Sequence, residues 1–189
     1  MRHKYATTGL VLARFPVAEA SADIVLLTDE LGLIRARAQG VRKCNAKLAS
    51  ALQTLSESEI MLVRGSQGWR ISGAVLRRNW FQEFTRPARE RAGRVIGLFL
   101  RLAPGETTDP ILYKTVYEFF GSLFNAPSAL HDASECLTAL CLLRALGLDA
   151  GEMPFRGQNR YDTHTLQKVQ RDRSHYIARV NRGIAASGL

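Results

Sequence analysis

At about Asn79 the spacing of apolar residues changes from roughly two to roughly 3.6, and it does so only once along the chain. A period of two places alternate side chains on opposite faces of a strand, whereas 3.6 draws a stripe along a helix. The chain is therefore expected to be α+β in two domains, a small β-barrel over residues 1–80 followed by an all-α helical domain over residues 81–189. Its 189 residues suffice for one or two hydrophobic cores and not for three.

Five strands are expected in the first region. Residues 5–14 carry Thr7, Thr8, Leu10, Val11 and Leu12, residues 23–28 are rich in Ile, Val and Leu, and residues 33–38 set Leu33, Arg35 and Arg37 against Ile34, Ala36 and Ala38. Residues 59–64 and 69–76 follow, with Gly65-Ser66-Gln67-Gly68 between them as a loop of hairpin length. Asp29-Glu30-Leu31-Gly32 is the turn between the second and third strands. Short strands with open edges invite aggregation, so a closed barrel is the expected solution. The five-stranded barrel that commonly binds single-stranded nucleic acid is the OB-fold; an SH3-like barrel fits the pattern nearly as well.

Beyond residue 80 the pattern is helical. Residues 88–102 align Ala92, Val95, Ile96, Phe99 and Leu102 on one stripe. Asp109 before Pro110 is a cap followed by a favourable first helical residue, opening a helix with Leu112, Val116, Phe119, Phe120, Leu123 and Phe124 inward, which Pro127 stops. Ser128 or Asp132 begins the next helix, with Leu130, Ala133, Leu137, Leu140 and Cys141 facing the core and Gly147 as its C-terminal cap. Residues 149–159 read as a loop, and residues 163–186 as one long helix. On that helix Leu166, Val169, Ile177, Val180 and Ile184 fall on one side, and Lys168, Arg171, His175, Arg179 and Arg182 lie within about 80° on the other. No acid alternates with these cations, so the face is either ordinary solvated surface or a second basic face for a polyanion. Arg173 sits in the middle of the apolar side, where it must snorkel, find a carboxylate or line an opening for an anionic partner.

The charge is uneven as well as large. With 26 Lys and Arg against 17 Asp and Glu the chain carries +9, distributed as +6 over residues 1–80, −2 over 81–152 and +5 over 153–189. Clustered cations are what a polyanion-binding surface needs, because each neutralised phosphate releases counterions; the alternative is that the excess serves solubility alone. At 46% hydrophobic and 23% charged the composition is that of a globular protein. Apolar runs such as residues 95–100 fall far short of the roughly 20 residues needed to span a bilayer, so no membrane segment is expected. Met1-Arg2-His3-Lys4 is not followed by the apolar core and cleavage site of a signal peptide, and the chain reads as a mature cytoplasmic protein. Cys44, Cys136 and Cys141 contain no CxxC pair, so neither a zinc ribbon nor a disulfide framework is encoded, and the last two read as small buried thiols.

Catalytic signatures are absent from the sequence. There is no GxxxxGK(S/T), HExxH or GxSxG, and the four histidines and scattered acids assemble neither a metal site nor the carboxylate cluster of a nuclease. The expectation is a binding protein without cofactor or metal, not an enzyme. Arg35 and Arg37 share one face of the third strand about 7 Å apart, close to the phosphate spacing of an extended strand. Arg42, Lys43 and Lys47 follow, with Gly40 permitting close approach, so these five cations form the primary expected DNA-binding segment, a solvated barrel face being the alternative. Trp69, Trp80 and Phe81 either stack bases, at about 1–3 kcal/mol each, or fill the core.

The run from Ile24 to Lys43, IVLLTDELGLIRARAQGVRK, resembles the N-terminal signature of the bacterial recombination mediator family RecO, in which a strand, a Thr-x-x-x-Gly turn and a basic strand lead to an Ala-Lys-Gly-x-Arg element. Gly9-Leu10-Val11-Leu12 with Glu19, and Leu142-Leu143-Arg144-Ala145-Leu146-Gly147-Leu148, are similar to that family's first strand and its helical Leu-Leu-x-x-Leu-Gly segment. The resemblance implies an N-terminal OB-fold joined to a helical domain, binding of single- and double-stranded DNA, ATP-independent annealing of complementary strands and a role in recombinational repair. As partners it implies RecR, the acidic C-terminal tail of single-stranded DNA-binding protein and, indirectly, RecA, with a nucleoid-associated cytoplasmic location. The expected receptor for that tail is an apolar pocket rimmed by Arg or Lys in the helical domain. Gln39 stands where the family usually carries Lys, residues 151–162 contain none of the cysteines of the zinc module found in some members, and the chain is short for the family. The competing reading is a non-catalytic interaction scaffold built on the helical domain.

Overall fold

A computed structural model describes residues 3–17, 19, 21–40, 48–103, 105–157 and 159–188. The chain divides into two compact units, residues 1–83 with 105–113, and residues 84–104 with 114–189.

The first unit is built on β1 (Lys4–Pro16), β2 (Ala22–Thr28), β3 (Gly32–Ala38), β4 (Ser56–Gly65) and β5 (Gly68–Asn79), closed in the order β1-β2-β3-β5-β4. This closed five-stranded barrel is the OB-fold arrangement. A long first strand makes closure possible: residues 4–10 of β1 pair with β4, and residues 9–16 pair with β2 across a bulge between Val11 and Ala13 that bends the strand. Alternation then fills the interior. Val11, Ile24, Leu26, Ile34, Ala36, Ile60, Leu62 and Ile71 form one cluster, which Leu52 joins from the segment between β3 and β4. That segment is tied to the barrel by Ser56 and Ser58, whose hydroxyls both donate to the Ala51 carbonyl, at 2.9 and 2.7 Å. Gly65 pairs with Gly68, so the β4–β5 connection tightens to the two residues Ser66 and Gln67.

β5 runs parallel to β3 only over residues 69–71 opposite 36–38, leaving the start of β3 uncovered on that edge. A strap from residues 105–113 covers it. Leu33 N–H donates to the Thr107 carbonyl at 2.7 Å, and Thr107 N–H returns a bond to the Leu33 carbonyl at 3.3 Å. The approach demands glycine at position 32, where φ is +68° and a Cβ would lie 1.7 Å from the Thr107 oxygen.

Glu57 on β4 is a buried charge within this unit. Burial pushes its carboxyl above the usual range, while the charges of Arg77 and Arg78 and a hydrogen bond from Trp80 pull it back in part. For a carboxyl raised in the folded state, the stabilisation is fully present below its unfolded value and lost as pH rises through the folded one. Glu57→Gln is accordingly expected to raise the melting temperature at pH 7 by a few degrees and to lose the gain that the wild type shows on acidification. Melts of both proteins from pH 4 to 8 check this, and a less stable glutamine variant at pH 7 refutes it.

Helix α1 (Trp80–Glu83) closes the first unit, and α2 (Arg86–Leu102), α3 (Pro110–Asn125), α4 (His131–Ala145), α5 (Thr163–Arg171) and α6 (Arg173–Ala186) follow, with a 3₁₀ turn at Ser128–Leu130. The second unit is organised round α4. Apart from the partly exposed Asp132 and Glu135, that helix is buried from His131 to Leu143 and packs against α2, α5 and α6, as expected of a helix that is apolar around most of its circumference. Burial pushes the thiols of Cys136 and Cys141 up to about 11, which fits two inert core residues. Gly147 ends the helix region at φ +74°.

Two features depart from the sequence pattern. Phe124 is 50% exposed instead of inward. The last helix is not continuous: it breaks at Asp172, with φ −100° and ψ 27°, into α5 and α6. The break resets the register. α6 buries Tyr176, Arg179 and Gly183, and Gly183 approaches α4 so closely that a Cβ there would meet Leu143 at 2.9 Å. Ile177, Val180 and Ile184 therefore border a groove instead of being sealed in the core.

Candidate nucleic-acid interface

Because Ile34, Ala36 and Ala38 point into the barrel, β3 must present Arg35 and Arg37 outward. The parallel ladder with β5 then sets Arg70 beside Arg37 and Trp69 beside Ala36, and the β4–β5 hairpin sets Arg64 beside Trp69. Three strands thus gather Arg35, Arg37, Arg64 and Arg70 round one open cleft of about 900 Å³ that also includes Trp69 and Gln39. Arg35 and Arg37 were legible in the sequence; Arg64 and Arg70 were not, since their membership depends on the pairing of β3 with β5. Arg42, Lys43 and Lys47 lie outside the described residues.

Within the cleft, Asp23 on β2 holds both strand arginines. Its two oxygens meet Arg35 Nε at 3.2 Å and Arg37 Nε at 3.0 Å. The arginine side chains stay 60% and 50% exposed while the carboxylate is 14% exposed, so the acid lies low against the sheet beneath its partners. Arg64 rests over the Trp69 ring at 4.6 Å and forms an exposed pair with Glu106 at 3.5 Å; Tyr5 meets the same ring edge-on at 5.2 Å. Arg70 is exposed and has no ion-pair partner among the described residues. Four guanidiniums against one lining carboxylate leave the cleft strongly positive. Trp69 is half-buried at its wall, whereas Trp80 is 1% exposed beneath the Arg78 guanidinium, at 3.7 Å, and belongs to the core. Phe81 remains 47% exposed on α1.

The second basic face is only partly assembled. Lys168, His175 and Arg182 are exposed and line an open cleft of about 600 Å³ with Asp149 and Glu152; Arg171 is exposed outside that lining. Arg179 corrects the helical-wheel expectation. Its side chain is 7% exposed, and it donates from Nη2 to Asp149 Oδ2 at 2.6 Å, from Nε to Asp149 Oδ1 at 3.2 Å and from Nη1 to the Glu152 carbonyl at 2.7 Å. The reset at Asp172 turned this position inward, and Asp149 compensates its charge.

In the same helical unit Val95, Leu98, Ala139, Ile177, Val180 and Ile184 line an apolar groove of about 410 Å³. Arg94 and Arg173 stand at its rim with Asp132 and Glu135. Arg173 has found a carboxylate, Asp132, at 3.2 Å, and it also lines the opening. A hydrogen bond from Arg91 holds Asp132 below the usual carboxylate range, with the charges of Arg91 and Arg173 adding to the effect. No helix among the described residues is long and apolar enough to cross a membrane.

Comparison with known proteins matches residues 1–80 to the family model described as "Recombination protein O N terminal". The DNA repair protein RecO of Dehalococcoides mccartyi is 26% identical over 128 residues, covering 67% of this chain and 51% of that protein. The DNA repair protein RecO of Gloeobacter violaceus is 38% identical over 61 residues, covering 32% of this chain and 23% of that protein. The chain thus spans at most about half the length of these relatives. The matched stretch covers the whole barrel, including the Ile24–Lys43 run and all four cleft arginines, so the barrel is similar to the N-terminal part of recombination protein O.

Proposed function

We propose that the protein is a recombination mediator that binds single- and double-stranded DNA, anneals complementary strands without ATP and, with RecR, helps RecA onto coated single strands. The observation that carries this reading is the cleft in which Arg35, Arg37, Arg64 and Arg70 surround Trp69 on the barrel. Guanidiniums grip phosphates and leave base edges free to pair, which is what annealing needs and what sequence readout does not. Trp69 offers a ring on which a base stacks once Arg64 swings aside. Stacking is worth about 1–3 kcal/mol, against about 0.5–1 for the exposed cation–π contact it replaces, and the displaced Arg64 is then available to a phosphate. Lys168, His175 and Arg182 serve as a secondary basic face for a second strand. The N-terminal domain on residues 1–80 carries the nucleic-acid work and the helical domain the partner contacts, in a cytoplasmic, nucleoid-associated, non-enzymatic protein without cofactor.

The apolar groove suits the tail of single-stranded DNA-binding protein. An aromatic end fits among Val95, Leu98, Ile177 and Ile184, and acidic residues reach Arg94 and Arg173 by displacing Glu135, held by Arg94 at 2.6 Å, and Asp132, held by Arg173 at 3.2 Å. The decisive test is annealing of complementary oligonucleotides with neither nucleotide nor metal, bare and coated with single-stranded DNA-binding protein that has or lacks its tail. Accelerated annealing of bare strands, and of coated strands only when the tail is present, is the expected result; no acceleration over the spontaneous rate sinks the proposal.

A further inference from the structure

We infer that Asp23 is an internal competitor for phosphate, a carboxylate that occupies Arg35 and Arg37 in the unbound protein and sets how tightly and how long the cleft holds DNA. The inference rests on the proposed reading of that cleft.

The placement is specific. Asp23 faces Arg37 directly across the β2–β3 ladder and reaches diagonally to Arg35, so each carboxylate oxygen serves one cation, at 3.2 and 3.0 Å. Two guanidiniums sharing one acid carry a net charge of one, the same charge that a phosphate approaching them would neutralise. The geometry also keeps the competition reversible. Both contacts are made through Nε, on the side edge of the guanidinium, whereas its end-on edge presents one N–H from each Nη in a different direction, and both arginines remain at least half exposed. A phosphate can therefore take the Nη fork before the carboxylate lets go of Nε, and the exchange passes through no fully unpaired cation. Asp23, low against the sheet, cannot follow the arginines outward. Bound DNA consequently always has a negative charge beneath its phosphates.

Two effects of that carboxylate oppose each other. It orders the two arginine side chains, which favours binding, and it repels the phosphates, which disfavours it. Exposed ion pairs order their side chains weakly, and pairs of this kind contribute little. The repulsion acts on every phosphate within a Debye length, at moderate salt about 10 Å. For a polyanion the repulsion wins. A mediator that must release strands after pairing them gains from such a brake, because it shortens the lifetime of the bound state without removing a contact.

The test uses the full chain and a fluorescent oligothymidylate. Asp23→Asn, and Asp23→Ser as a second uncharged variant, are expected to bind about three- to tenfold more tightly at low salt, mostly through slower dissociation, with the difference closing at high salt. Equal or weaker binding by both variants, with folding verified by thermal melts, overturns the inference and makes Asp23 a positioning residue. The Arg35→Gln/Arg37→Gln double variant separates this from failure of the underlying reading. If it weakens binding while the Asp23 variants do not strengthen it, the cleft stands and the competitor falls. If it leaves binding unchanged, the cleft itself is not the site and both fall.

Discussion

Combining Arg35→Gln, Arg37→Gln and Arg70→Gln should weaken single-stranded DNA binding about a hundredfold at low salt and flatten the dependence of log affinity on log salt by about two. The second quantity is the more diagnostic. Each phosphate neutralised on a single strand contributes about 0.7 to the slope, so three lost contacts account for about two units of slope whatever their individual strengths. Neutralisation is preferable to reversal because Arg35 and Arg37 flank Asp23, and glutamates there would crowd acids onto adjoining strands, confusing lost contacts with local unfolding. With glutamine, Asp23 alone remains and adds its own repulsion, so the affinity loss should exceed what the slope alone implies. Titrations by fluorescence anisotropy at several salt concentrations measure both. An unchanged slope would mean that these side chains do not meet phosphate, even if affinity fell.

The barrel was legible because its information is local: alternation within residues 33–38 assigns Ile34, Ala36 and Ala38 inward and thereby forces Arg35 and Arg37 outward. Turn residues such as Gly32, Gly65 and Gly68 mark where strands end. The cleft was only half legible, because Arg70 comes beside Arg37 through a parallel pairing between strands separated by the whole β4 hairpin. No local pattern announces such a register. The strap at Thr107 was hidden for the same reason, since residues 103–108 fall between two expected helices and Asp109-Pro110 read as the start of the second, and yet residues 105–113 close the edge of β3. In the helical unit the wheel over residues 163–186 failed at one residue. Asp172 stops α5, and every angle projected beyond it is wrong by the amount of the break. Arg173, whose position on the apolar side was noticed, did find its carboxylate, but which acid it found was a tertiary matter.

Arg179 shows how far that single break carries. Read as a basic surface residue, it would be expected to affect nucleic-acid binding and leave stability alone. Its buried place predicts the reverse. Arg179→Met should destabilise the protein by about 3–5 kcal/mol, the range for removing one partner of a buried ion pair, because it strands two groups at once. Asp149, whose side chain is 10% exposed, keeps a charge without a counter-ion, and the Glu152 carbonyl loses its donor. Gly151 adds a shape constraint, since a Cβ there would lie 2.5 Å from the guanidinium, so the loop has formed around this side chain. Removing both charges should be much milder. Arg179→Met with Asp149→Leu eliminates the stranded carboxylate and is expected to recover more than half of the loss, as replacement of a buried pair by apolar groups generally does. Urea denaturation of the two variants and the wild type measures the difference. A single variant within about 1 kcal/mol of wild type would place Arg179 back on the surface, in the range measured for exposed pairs. Loss of DNA binding by Arg179→Met at a temperature where it is partly unfolded would say nothing about contact, so binding and stability must be read at the same temperature.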